Sequence, residues 1–159
     1  MFPSSPLLTR FALVLGFLAA PSLLSAQSPE QDSPETKGSF ARCTPDEFTL
    51  CFNEGRFRVN ADFQLTPTGF SQHAHAVPLT DQTGEFWFFD PTNVELIVKV
   101  LNACTAPFNH YWVFSAGLTN VGVVVTVVDL ATGASQHYTN LIGTPYLPIQ
   151  DTSAFSTCP

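Results

Sequence analysis

Ten consecutive residues, 56–65, alternate without a break: Phe57, Val59, Ala61, Phe63 and Leu65 are apolar, while Arg56, Arg58, Asn60, Asp62 and Gln64 are polar. Successive side chains of a strand leave on opposite faces, so a period of two over this length means one buried face and one wet face. A strand of that kind needs lateral partners and a second layer over its apolar side. The rest of the chain supplies both. Asn53-Glu54-Gly55 joins this strand to Leu50-Cys51-Phe52 as a glycine-containing hairpin link. Further runs at 73–79, 85–89, 94–101, 110–118, 121–130 and 135–140 are separated by Gly, Asn, Asp and Pro clusters. A helix competes at 94–101, but Val94, Val98, Val100 and Ile97 favour a strand. The valine-rich run 121–130 predicts a central strand covered on both faces, and 135–140 an edge strand. Trp112 is expected to face the core with Phe114. The prolines from Leu141 onward predict extended coil as far as Cys158. The expected fold is all-β: an antiparallel β-sandwich, or a partly closed barrel, of about seven or eight strands.

Upstream of this domain the chain changes character. Residues 1–26 carry one charge, Arg10, then an apolar run at 11–24 and Ser25-Ala26 ahead of polar Gln27. That is the pattern of a secretory signal cleaved after Ala26. The run is shorter than the roughly 20 apolar residues that span a bilayer, and Pro21 interrupts it. Residues 27–42, rich in Ser, Pro, Glu and Gln, read as a flexible polar leader, which leaves 43–159 as a single domain. With the signal removed, no membrane association is expected. The formal charge of −7 repels nucleic-acid phosphates, so no nucleic-acid partner is expected either.

An exported chain meets an oxidising compartment, where cysteines close and stay closed. Cys43, Cys51, Cys104 and Cys158 allow three connectivities, and spacing alone does not choose among them. The favoured pairing is Cys43 with Cys51, pinning a short connection, and Cys104 with Cys158, tying the C-terminus to the core. Chain entropy assigns these loops roughly 2.5 and roughly 4 kcal/mol. No C-x-x-C pair suits zinc.

Several stretches then carry a resemblance. They are Cys43 and Cys51 in C-x7-C, GRFRV at 55–59, FWFFDPTNVELIVKVLNAC at 86–104, HYWVF at 110–114, DLATG at 129–133 and DTSAFSTC at 151–158. From Cys43 to Pro159 the chain resembles an uncharacterised bacterial secreted β-domain, often found at the ends of larger exported proteins. That family has no assigned reaction, ligand or partner, so the resemblance implies a fold and an exported location, not an activity.

Candidate chemistry is sparse. His73 and His75 would project from one face of a strand, a geometry metal sites use, with His110 and His137 elsewhere; solvated histidines are the ordinary use of such a pair. Asp81, Glu85, Asp90 and Asn93 flank the 86–89 aromatics. They are read either as calcium ligands on sandwich loops or, preferentially, as turn formers. Trp87 and Phe89 fall on one strand face and form the candidate binding surface, against the competing use of aromatics in core packing. Glu85, Glu95 and Asp129 could pair across a sheet as acid and base. No nucleophile-elbow, zinc-protease, P-loop or dinucleotide motif is present, and no N-glycosylation acceptor. The expectation is therefore a secreted non-catalytic module, without cofactor, that binds or displays a protein or glycan. The alternative is a small extracellular hydrolase or lyase using sheet-face carboxylates.

Overall fold

The structure, a computed structural model, describes residues 40–159. The predicted signal at 1–26 and nearly all of the predicted leader at 27–42 lie outside the described residues. Ten strands and no helix occur among the described residues: β1 (Leu50–Phe52), β2 (Phe57–Gln64), β3 (Gln72–His73), β4 (His75–Thr80), β5 (Thr83–Trp87), β6 (Leu96–Ala103), β7 (His110–Gly117), β8 (Gly122–Asp129), β9 (Ser135–Asn140) and β10 (Ile149–Phe155). They form two antiparallel sheets, neither closed into a barrel. One runs β1-β2-β8-β9 with β3 added to β2, and the other runs β10-β7-β6-β5-β4. β1 covers the first half of the β2 edge, pairing Leu50 with Val59, and β3 covers the second, pairing Asp62 with His73.

The alternation in β2 is realised as expected. Phe57, Val59, Ala61 and Phe63 are buried; Val59, Ala61 and Phe63 pair with Val127, Val125 and Val123 of β8, and Phe57 pairs with Asp129. Opposite them lie Phe86, Leu96, Val98, Val100 and Val113 from the second sheet. Each such side chain, removed from water, contributes about 1.5–3 kcal/mol. The turn into β2 shows why Gly55 is there. Asn53, Glu54 and Gly55 all take positive φ, at 53°, 57° and 79°, and glycine adopts that conformation without a Cβ clash.

Four expectations need correction. β8 is central, between β2 and β9, but it is not covered on both faces: Val124, Thr126 and Val128 are half-exposed on the outside. Valine favours strands on wet and dry faces alike, so composition alone did not separate the two. The C-terminal segment is not coil throughout, because 149–155 pairs with the edge of β7 as β10. Pro148 lies just before that strand, where its missing N–H costs no ladder bond. With β10 added and 73–79 split into two strands, the total is ten rather than seven or eight. Finally, Tyr111 and Val113 take the inward positions of β7, and Trp112 and Phe114 lie outside. Phe108 packs edge-on against Trp112, with ring centres 4.9 Å apart.

Both disulfides follow the favoured pairing, Cys43 with Cys51 and Cys104 with Cys158. The second anchors the tail beside a buried charge cluster. Asp129, fully buried at the end of β8, accepts from Arg56 Nε at 3.0 Å and Nη2 at 2.8 Å, from Thr157 Oγ1 at 2.6 Å and from the Ala131 amide at 3.0 Å. Arg56 also donates to the Thr157 carbonyl and to Tyr111 Oη, and its guanidinium lies over the Tyr111 ring. Burial pushes the Asp129 carboxyl up. The hydrogen bonds from Arg56, Thr157 and Ala131, with the Arg56 charge, outweigh it and hold the carboxyl below its ordinary value.

Candidate binding surfaces

The polar face of β2 becomes the floor of a groove. Arg58, Asn60 and Asp62 point outward beside Thr126 of β8, and 41–49 folds over them. The space is about 660 Å³, within the range of small-ligand sites. Asn60 fixes the covering segment: its Nδ2 donates to the Phe48 carbonyl at 2.8 Å and to Thr49 Oγ1 at 2.9 Å. Asp46 tightens the same turn by accepting the Phe48 amide at 2.9 Å, and that bond, with the Thr49 hydroxyl, lowers its carboxyl from the ordinary range. Phe48 thus presents a half-buried ring over a wall of fixed donors and acceptors. Sequence reasoning identified the wet face of β2 but missed Phe48, which belongs to no periodic run.

The histidine pair is arranged differently from the expectation. His73 lies in β3 on the first sheet and His75 in β4 on the second, because the chain crosses between sheets at fully buried Ala74. The two rings pack against the Phe48 ring, with centres 5.6 Å and 5.1 Å away. His73 Nδ1 meets Asp62 at 2.6 Å and His75 Nδ1 meets Glu47 at 3.0 Å. Trp87 stacks on His75 at 3.7 Å with nearly parallel planes. The result is an aromatic ladder, Trp87–His75–Phe48–His73, with a carboxylate at each histidine. Among the described residues, no three His, Cys, Asp or Glu side chains converge as a metal site.

A second cavity, of about 520 Å³, lies where three connections meet: Phe89 and Glu95 from β5–β6, 118–121 from β7–β8, and Pro145 with Tyr146 from β9–β10. Glu95 is 6% exposed and its Oε1 accepts from Asn93 Nδ2. Tyr146 shares a hydrogen bond with Ser115 at 2.8 Å, and its phenol is raised by burial. Tyr146 also packs where a side chain on Gly117 would sit: a Cβ there would be 2.7 Å from the Tyr146 Cβ.

The remaining candidates separate. Asp90 accepts the Thr92 amide and hydroxyl at 2.8 and 2.7 Å, as a turn former, whereas the Asp81 carboxylate reaches across to the β1–β2 turn and accepts the Glu54 amide at 2.8 Å instead of a local one. Glu85 stands on the outer face of β5 between Val77 and Ile97, Glu95 in the connection cavity and Asp129 in the charge cluster, so the three carboxylates form no shared site. Trp87 belongs to the ladder. Phe89 is 54% exposed and packs edge-on against Phe63 and Phe88, at the connection cavity. Their common strand parity does not make one platform, because β5 ends at Trp87. Comparison with family models, with curated proteins and with solved structures returned no match.

Proposed function

We propose that this protein is a secreted, non-catalytic module that holds a glycan outside the cytoplasm in the groove over β2, with a protein ligand as the competing occupant. The observation that carries this is the groove itself. It joins an aromatic ring, Phe48, to Arg58, Asn60, Asp62 and Thr126 on a rigid sheet, where side chains positioned by strands hold their geometry. Sugars suit such a wall, since it offers hydrogen bonds from fixed polar groups and an apolar ring for C–H surfaces. Two disulfides are typical of extracellular proteins and agree with export. The resemblance to a secreted bacterial domain points the same way.

The test is a glycan panel followed by calorimetry on the wild type and on Arg58→Ala. Arg58 is exposed, so its loss leaves the fold intact. Saturable binding weakened about ten-fold or more by Arg58→Ala, with the glycan recovered unchanged, is the expected result. A panel without saturable binding, or cleavage of the bound glycan, refutes the proposal. Mass spectrometry of the exported protein should find Gln27 first.

A further inference from the structure

The connection cavity holds a carboxylate with an unusual lack of company. Glu95 is more than nine-tenths buried, yet among the described residues no Lys, Arg or His is paired with it. Among the described residues its one side-chain partner is the Asn93 amide, on Oε1. Among the described residues Oε2 has no protein donor, it is not one of the fully enclosed unpartnered atoms, and Glu95 lines the cavity. A buried carboxylate without a counter-charge is costly, and a cation delivered to it would recover much of that cost.

The surroundings narrow the kind of cation. A hard divalent ion collects six or more oxygens, whereas Glu95 belongs to no group of three or more His, Cys, Asp or Glu among the described residues, and no other Asp, Glu or His lines its cavity. A guanidinium fork is best matched by both oxygens of a free carboxylate, and here one is engaged. A single point donor fits the open oxygen. The rim fits an aliphatic stem: Leu118 is 84% exposed and Phe89 54%, with Pro145 beside them. Those are the surfaces along which a methylene chain lies while its charged head reaches a polar atom. The chain's charge of −7 adds a long-range attraction for cations.

We propose that this cavity binds a primary alkylammonium group, with the ammonium on Glu95 Oε2 and the methylene stem between Phe89 and Leu118. The site is separate from the groove over β2 and stands whether or not that groove binds glycan. The group can arrive as a lysine side chain of a partner protein or as a free alkyl amine. The test is nuclear magnetic resonance titration of the full chain with Nα-acetyl-lysine N-methylamide, with cadaverine, and with Nα-acetyl-norleucine N-methylamide as the uncharged control. Saturable shifts at the amides of Leu118, Asn120 and Tyr146 with either amine, on the order of 1 mM, are expected. The tighter of the two identifies the source. Glu95→Gln keeps an acceptor for Asn93 and should weaken binding ten-fold or more. Leu118→Lys, at an exposed position that does not bear on folding, should block the site with its own ammonium. Equal shifts with the norleucine control, no saturable shifts with either amine, or unchanged affinity in Leu118→Lys overturns the proposal.

Discussion

Replacing Arg56 by alanine should destabilise the domain by about 3 kcal/mol. The Asp129 side chain is 0% exposed and has four donors, two of them on Arg56. Taking Arg56 away leaves a buried charge facing only the Thr157 hydroxyl and the Ala131 amide. Breaking a buried pair from one side costs about 3–5 kcal/mol. The Arg56 side chain is 17% exposed, so water can reach part of the vacated space, which favours the lower end. Loss of the guanidinium over Tyr111 adds up to about 1 kcal/mol. Urea denaturation, with an unchanged slope, measures the difference directly. A loss below about 1 kcal/mol would refute the account, because it would mean that Asp129 is not isolated from water. The double replacement Arg56→Met with Asp129→Leu removes both charges and should recover most of the stability. The pH dependence has a definite sign. The Asp129 carboxyl is depressed in the folded state, so its contribution is present above the unfolded value of about 3.9 and is lost as pH falls through the lower, folded one. The gap between wild type and Arg56→Ala should therefore narrow below about pH 4.

Gly117→Ala places a methyl 2.7 Å from the Tyr146 Cβ and should cost about 1–3 kcal/mol in thermal or urea melts. Broadened resonances at Tyr146 and Ser115 should accompany it, and a neutral effect would show that the 144–147 segment yields freely. Replacing Cys104 and Cys158 by serine should cost roughly 4 kcal/mol, against roughly 2.5 for Cys43 and Cys51, following loop lengths set by separations of 54 and 8. Equal losses in denaturant would show that the chain-entropy ranking fails here.

What could be read from the sequence was local. β2 announced itself through unbroken alternation, and the Gly55 turn through its glycine, because both signals lie within about ten residues. β10 did not, since its place depends on the free edge of β7, more than thirty residues away in sequence. The crossing at Ala74 was equally hidden. His73 and His75 have the spacing of one strand face, and only the packing of Ala74 between the sheets sends them to different ones. Glu95 was noted as a carboxylate, but its setting draws on three connections spread from Phe89 to Tyr146. The groove was half legible: its floor is the wet face of β2, while its cover, Phe48, is held there by a hydrogen bond from Asn60.

The points at which the chain enters and leaves the described domain set how that domain can be held. The Cys43 amide bonds the Gly55 carbonyl, and the Thr157 carbonyl accepts from Arg56, so entry and exit sit side by side at one pole of the sandwich. From there β2 runs eight residues, roughly 26 Å, to Gln64, whose partner Gly122 adjoins the connection that lines the Glu95 cavity. A tether joined just before Cys43 or at the C-terminus therefore meets the domain at the same pole. Phe89 and Leu118, which follow the ends of β5 and β7 at the opposite pole, would then face away from such a tether.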